Sequence, residues 1–267
     1  TLLYPSSTFA VGNKVTNVVQ VTGSPLGGAP TNHTASLVNT IVAPTTSSTF
    51  SKSVDGNYVY EGKAIAKTYT LAPKNAGNTP LSNVVVTDSI PAAVWVYEIY
   101  TGSYSGSPSG LGTGITVEYR TNLRDWTSVT NVPFTGASSQ KITVSKLGLA
   151  PNEAISDLRW SFGDLPATYQ INSLTFSGNI LTTDRNGNAV IANQLIRNTA
   201  GMTYTDFNGA QTNKSATADI TVKSPRPVVQ LEKGFVAGGS TLAHGATGTF
   251  YVRLRNSSYA AQSMENP

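Results

Sequence analysis

NKVTNVVQVTGSPLGGAPTNHTASLVNTIVAP, residues 13–44, lines up without a gap against QLIRNTAGMTYTDFNGAQTNKSATADITVKSP, residues 194–225. Asn17 falls on Asn198, Asn32 on Asn213, Ala35 on Ala216 and Pro44 on Pro225, always at a spacing of 181. The same spacing joins FSKSVDG (50–56) to LEKGFVA (231–237) and LAPKNAG (71–77) to VRLRNSS (252–258), so that Lys52 meets Lys233 and Asn75 meets Asn256. Self-similarity at one fixed period is the mark of a repeated structural unit. The spacing predicts the closing strands of one module over 1–45, a complete module over 46–225 and the opening strands of a third over 226–267. PTTSST (44–49) and KSPRP (223–227) read as the short linkers between them. A part-module exposes sheet edges and half a core, so neighbouring repeats of the same chain, or a homopolymeric or envelope assembly, are the expected partners.

Within the complete module, apolar and polar residues alternate with period two in KAIAKTYTL (63–71), SNVVVTDSI (82–90), GITVEYR (114–120), QKITVSKL (140–147), YQINSLTFSGNIL (169–181), AVIANQLI (189–196), GMTYTDF (201–207) and SATADITV (215–222). Each predicts a strand. Asn186-Gly187 reads as a two-residue hairpin turn whose central positions both take positive φ. No window predicts an amphipathic helix longer than about two turns. The fold class that follows is all-β, a Greek-key β-sandwich of eight or more strands.

Composition agrees. Thr, Ser and Asn number 35, 28 and 21 of 267 residues, while charged residues are 12%, about half the usual ~25%. The surface is therefore polar through hydroxyls and amides, and the Val, Tyr and Thr content excludes disorder for most of the chain. No stretch approaches the ~20 apolar residues of a membrane-spanning helix, and the first residues lack the blocks of a secretory signal. There is no cysteine, which removes disulfides and thiolate chemistry together, and His33 and His244 are the only imidazoles. The net charge of +4 is spread singly, without a basic stripe carrying aromatics, so nucleic acid is not an expected partner.

Several phrases, taken in order, resemble one family. GNTPLSNVVVTDSIPAAV (77–94), LRWSFGDLPA (158–167), RNTAGMTYTD (197–206) and VEYRTNLRDWTSV (117–129) are similar to successive motifs of the DUF11 repeat domains of very large bacterial cell-surface proteins, although the last lacks the usual glycines. The resemblance covers most of 46–225. It implies an immunoglobulin-like sandwich, exported and repeated many times as a spacer, fibre or surface-layer component, with no common enzymatic activity and no cofactor. Some relatives also resemble fimbrial and adhesin domains that tie their first and last strands together through a Lys–Asn isopeptide bond assisted by an acid.

Three residues fit that chemistry. Lys52 shares a strand face with Phe50 and Val54, Asp88 with Val84 and Val86, and Asn198 with Ile196, Ala200 and Met202. Burying an ammonium, a carboxylate and an amide separately costs several kcal/mol, so the three are expected to meet. The competing reading is a surface lysine, with Asp88 and Asn198 bonding turns at strand ends. Asn17 and Lys233 repeat the pattern in the flanking segments.

Other candidates carry less. Asp184, Asn186 and Asn188 have the oxygen spacing of a calcium loop's opening, yet position 195 is Leu rather than the closing acid, and a hairpin turn is the preferred reading. Asn32, Asn213 and Asn256 open N-x-S/T triplets. Tyr97, Tyr100 and Tyr104, with the loop 101–114, offer a stacking platform for a surface glycan, or pack as ordinary sheet aromatics. Neither imidazole lies in the complete module, no nucleophile elbow or phosphate loop appears, and an enzyme is not expected. The expected function is a structural repeat of an exported bacterial surface or cell-envelope protein, the alternative an adhesin or glycan-binding module.

Overall fold

The computed structural model describes residues 9–103, 115–129, 138–225, 229–236 and 241–256. It is all-β. The only helical element among the described residues is a 3-10 turn, Val144–Leu147, stopped by Gly148 in the left-handed region. The chain divides into two units, Thr1–Thr45 and Thr46–Pro267. In the first, β1 (Lys14–Gly23) and β2 (Thr31–Thr40) form an antiparallel hairpin.

In the second, the strands in chain order are β3 (Ser48–Val54), β4 (Tyr58–Tyr60), β5 (Ile65–Asn75), β6 (Leu81–Ser89), β7 (Val94–Tyr100), β8 (Thr116–Thr121), β9 (Thr127–Ser128), β10 (Lys141–Thr143), β11 (Ile155–Leu165), β12 (Leu174–Ile180), β13 (Leu195–Thr205) and β14 (Gln211–Lys223). A further hairpin follows, β15 (Val229–Phe235) with β16 (Phe250–Asn256). The twelve strands β3–β14 make two sheets. One has the order β10-β7-β12-β5-β3 and the other β4-β14-β13-β6-β11-β8-β9. Among the described strands every pairing is antiparallel except β4 with β14.

Alternation decides which side chains fill the space between the sheets. Tyr69 and Leu71 of β5, Leu174 and Phe176 of β12 and Val94 and Val96 of β7 turn inward from one sheet. From the other come Val84 and Val86 of β6, Leu158 and Trp160 of β11, Met202 of β13 and Ile220 and Val222 of β14. Removing this apolar surface from water is the main stabilising term. Trp160 also donates its indole N–H to the Tyr100 carbonyl at 3.1 Å, which ties the two sheets together. At the free edge of the smaller sheet, β3 lies against β14, and Ser48 donates to the Tyr204 hydroxyl at 2.9 Å.

Three segments differ from the alternation reading. Only Lys141–Thr143 of 140–147 is strand, because the chain tightens into the 3-10 turn. Of 169–181, strand begins at Leu174, after Ser173 has taken φ 54. The run 189–196 becomes strand only at Leu195, since the chain turns at Ala192-Asn193, where Asn193 sits at φ 69 and its amide bonds the Val222 carbonyl. The Asn186-Gly187 turn exists in another form. Gly187 alone has positive φ (86°), its N–H reaches the Asp184 carbonyl and the Asp184 N–H the Asn188 carbonyl, which is a three-residue loop rather than a two-residue one. Asp206 to Ala210 repeats it, with Gly209 at φ 81.

Asn75, at the end of β5, is wholly buried and fully satisfied. Its amide nitrogen donates to the carbonyls of Thr79, Leu165 and Pro166 at 2.8–3.0 Å, and its oxygen accepts from the Gly77 N–H at 3.0 Å. It pins the 75–79 turn to the end of β11. Asn75→Ala strands these buried partners, so a loss of about 2–4 kcal/mol is expected in urea denaturation.

Candidate functional site

Lys52, Asp88 and Asn198 meet between the sheets. β3 is an edge strand, yet alternation points Lys52 across the core, its side chain entirely covered. Its Nζ donates to Asp88 Oδ2. Asp88 lies on β6 between Leu158 of β11 and Ala200 of β13. Asn198 is two residues from Ala200 on the same face of β13, so it stands diagonally beside Asp88. Asp88 and Asn198 are both 0% exposed. The three are thus a buried cluster, and the surface reading of Lys52 does not hold. The structure also alters one detail of the expected strand tie: Asn198 is on β13, the last strand but one of the sandwich, and β14 follows it.

Two aromatic rings close the cluster off from water. Lys52 Nζ lies 5.5 Å from the centroid of Tyr69 and 5.7 Å from that of Phe176, and the two rings stack at 4.9 Å and 13°. Sequence reading missed both. Their inward alternation was visible in TYTL and SLTFSG, but their contact depends on the pairing of β5 with β12, which sets Tyr69 directly opposite Phe176.

Among the described residues, the hydrogen-bond inventory is incomplete in one place. Asp88 Oδ1, both amide atoms of Asn198 and the Tyr69 hydroxyl are buried without a hydrogen-bond partner. Buried polar atoms are nearly always paired, and each orphan costs about 1–3 kcal/mol. Asn75, equally buried, leaves none.

Burial pushes the Lys52 amine below its ordinary value, with Asp88 pulling the other way. Burial pushes the Asp88 carboxyl up to about 6, opposed chiefly by Lys52. Burial raises the Tyr69 phenol as well, with Asp88 adding to it. Burial thus disfavours the charged form of both groups, lowering the amine and raising the acid beside an amide.

The Asp88 shift has a consequence for an uncoupled cluster such as Asn198→Ala. Its folded pKa of about 6 lies above the ordinary 3.8, so between those values the folded state holds the extra proton. Stability from this group is full below about pH 4 and falls as pH rises through about 6. Asn198→Ala should thus lose stability over that window relative to Asn198→Ala/Asp88→Asn, as paired thermal melts at pH 4 and pH 7 would show.

The remaining candidates sit elsewhere. Asp184, Asn186 and Asn188 are brought together by the three-residue loop, but the carboxylate is engaged: Oδ1 accepts the N–H groups of Asn186 and Asn188 at 2.8 Å, and these bonds hold its pKa low. Among the described residues no group of three or more His, Asp or Glu is placed to hold a metal. Tyr97 and Tyr100 lie half-buried on β7, where Tyr100 donates to Glu98 at 3.1 Å. Tyr104 and most of the 101–114 loop lie outside the described residues. A groove of about 340 Å³ runs past Trp95, Tyr97, Leu149 and Pro151. Of the N-x-S/T asparagines, Asn32 and Asn213 are exposed on β2 and β14.

No family model matches the chain, and no curated protein matches it; the DUF11 resemblance stands on its motifs alone. Among solved structures, the chain is similar to a variant of BcpA, the major pilin subunit of Bacillus cereus (10% identity, TM-score 0.41, covering 91% of this chain and 64% of that one). A second BcpA structure is similar at 10% identity and TM-score 0.38, over 80% of this chain and 49% of that one. The collagen binding subdomain of the Enterococcus faecalis surface protein ACE is similar at 8% identity and TM-score 0.29, over 65% of this chain and 95% of that one. The chain thus spans less than two thirds of the length of either pilin structure.

Proposed function

We propose that the chain is a load-carrying structural module of a bacterial surface fibre or envelope protein, built as an immunoglobulin-like Greek-key sandwich and closed by an isopeptide bond between Lys52 and Asn198. The observation that carries this reading is the buried amine, acid and amide with its orphaned atoms. The neutral Lys52 amine attacks Cγ of Asn198 while protonated Asp88 hydrogen-bonds the amide oxygen. Asp88 then relays the proton surrendered by Nζ to Nδ2, the Cγ–Nδ2 bond breaks, and ammonia leaves. The products account for three of the four orphans, all but the Tyr69 hydroxyl: Nδ2 is gone, and the new carbonyl accepts from Asp88. No outside reagent is required. A polypeptide without cysteine gains by this route the cross-link that a disulfide supplies elsewhere.

Lys52 and Asn198 are 146 positions apart, and the bond shunts tension past everything between them. Stretching the chain from its two ends should therefore show no extension step of about 500 Å, the extended length of that segment. Lys52→Ala should restore the step. A wild-type chain that already yields it carries load in some other way.

The adhesin or glycan-binding reading is favoured by a separate observation, the groove beside Trp95 and Tyr97. Micromolar binding on a glycan array that is abolished by Trp95→Ala would support it.

A further inference from the structure

The two hairpins outside the sandwich reproduce, residue for residue, the pairing of two hairpins inside it. β1–β2 sets Lys14 against Thr40, Asn17 against Leu37 and Gly23 against Thr31. At a shift of 181, β13–β14 sets Leu195 against Thr221, Asn198 against Ala218 and Tyr204 against Thr212. β15–β16 sets Val229 against Asn256, Lys233 against Val252 and Phe235 against Phe250. At the same shift, β3–β5 sets Ser48 against Asn75, Lys52 against Leu71 and Val54 against Tyr69. A slip of one residue would turn every side chain to the opposite face, so the agreement means that the same faces are meant for burial. The aromatic setting of the lysine recurs too: Lys233 Nζ lies 5.1 Å from the ring centroid of Phe250, which occupies the place of Tyr69.

Those faces are open. Ala200, Met202, Ala218 and Leu71 are at most 5% exposed, whereas their counterparts Val19, Val21, Leu37 and Val252 are 57–65% exposed. A lone two-stranded hairpin is marginal in water, and contiguous apolar faces mark a missing partner.

We infer that β1–β2 is the closing hairpin, and β15–β16 the opening hairpin, of further modules of this repeat. The remaining strands of such a module, contiguous in the polypeptide, cover each apolar face, and Asn17 and Lys233 stand there as Asn198 and Lys52 stand here. Docking of the two hairpins between separate copies is the poorer solution. Neither includes a counterpart of β6, the strand that pairs with β13 and supplies the acid, so both an edge and the site would stay incomplete.

The inference rests on the Lys52–Asn198 reading, and one experiment separates the two. In the extended chain residues 259–267 are replaced by a second copy of residues 78–225, which continue from Gly77, the position to which Ser258 corresponds, and supply all of β6. The expected intact mass lies two ammonias below that of the sequence, and Lys233→Ala and Lys52→Ala each restore one. A deficit of one ammonia that depends on Lys52 overturns the inference and leaves the central bond standing. No deficit removes both. An extension whose amides exchange as an unfolded chain, or a second deficit indifferent to Lys233→Ala, also overturns it.

Discussion

Lys52→Met should lower the unfolding temperature of the central sandwich by about 10–20 °C. Closing a loop of 146 residues restricts the unfolded ensemble by roughly 5 kcal/mol on the disulfide analogy, and each kcal/mol moves the midpoint of a domain this size by about 2–4 °C. Methionine keeps an unbranched apolar stem beside the stacked Tyr69 and Phe176 rings, so the loss reports the link rather than a cavity. Melts at pH 5 keep Asp88, with its pKa near 6, largely protonated, which limits the cost of leaving it unpaired. Asn198→Ala should produce a similar drop, and the double variant little more than either alone, because all three break one bond. Independent, additive losses of about 1 kcal/mol each would instead describe a cluster held by hydrogen bonds only.

Trp160→Ala should cost about 3–5 kcal/mol. The ring is 0% exposed on β11, and its N–H holds the Tyr100 carbonyl of the opposite sheet. Removing it opens a cavity in the core and strands a carbonyl at once. Urea denaturation should show a lower midpoint with an unchanged slope. Trp160→Phe should recover most of the loss, short of the roughly 1 kcal/mol carried by the hydrogen bond. A Trp160→Ala midpoint within experimental error of wild type would mean that the sheets are not joined through this residue.

Much of the site was legible because its members break a pattern. Phe50-Lys52-Val54, Val84-Val86-Asp88 and Ile196-Asn198-Ala200 each place one polar side chain on an otherwise apolar face, and burial cost alone predicts that such residues gather. The aromatic lid was not legible, since Tyr69 and Phe176 are apolar-face residues like many others until the β5–β12 register pairs them. Nor did alternation foresee the turns. At 189–196 the apolar spacing suits a strand, but the left-handed backbone of Asn193 and its bond to Val222 are set by the neighbouring strand rather than by local preference. Conversely, Asn75 entered the sequence reading only as the repeat match of Asn256, although it satisfies more buried backbone than any member of the candidate site.

The covalent bond is tested most directly by the intact mass of the purified chain. The account predicts a mass one ammonia below that of the sequence, with the full sequence mass in Lys52→Ala, in Asn198→Ala and, because the proton relay is lost, in Asp88→Ala, each allowing for its own substitution. A wild-type chain at its full sequence mass, with Lys52 recovered as a free lysine after complete digestion, would contradict it.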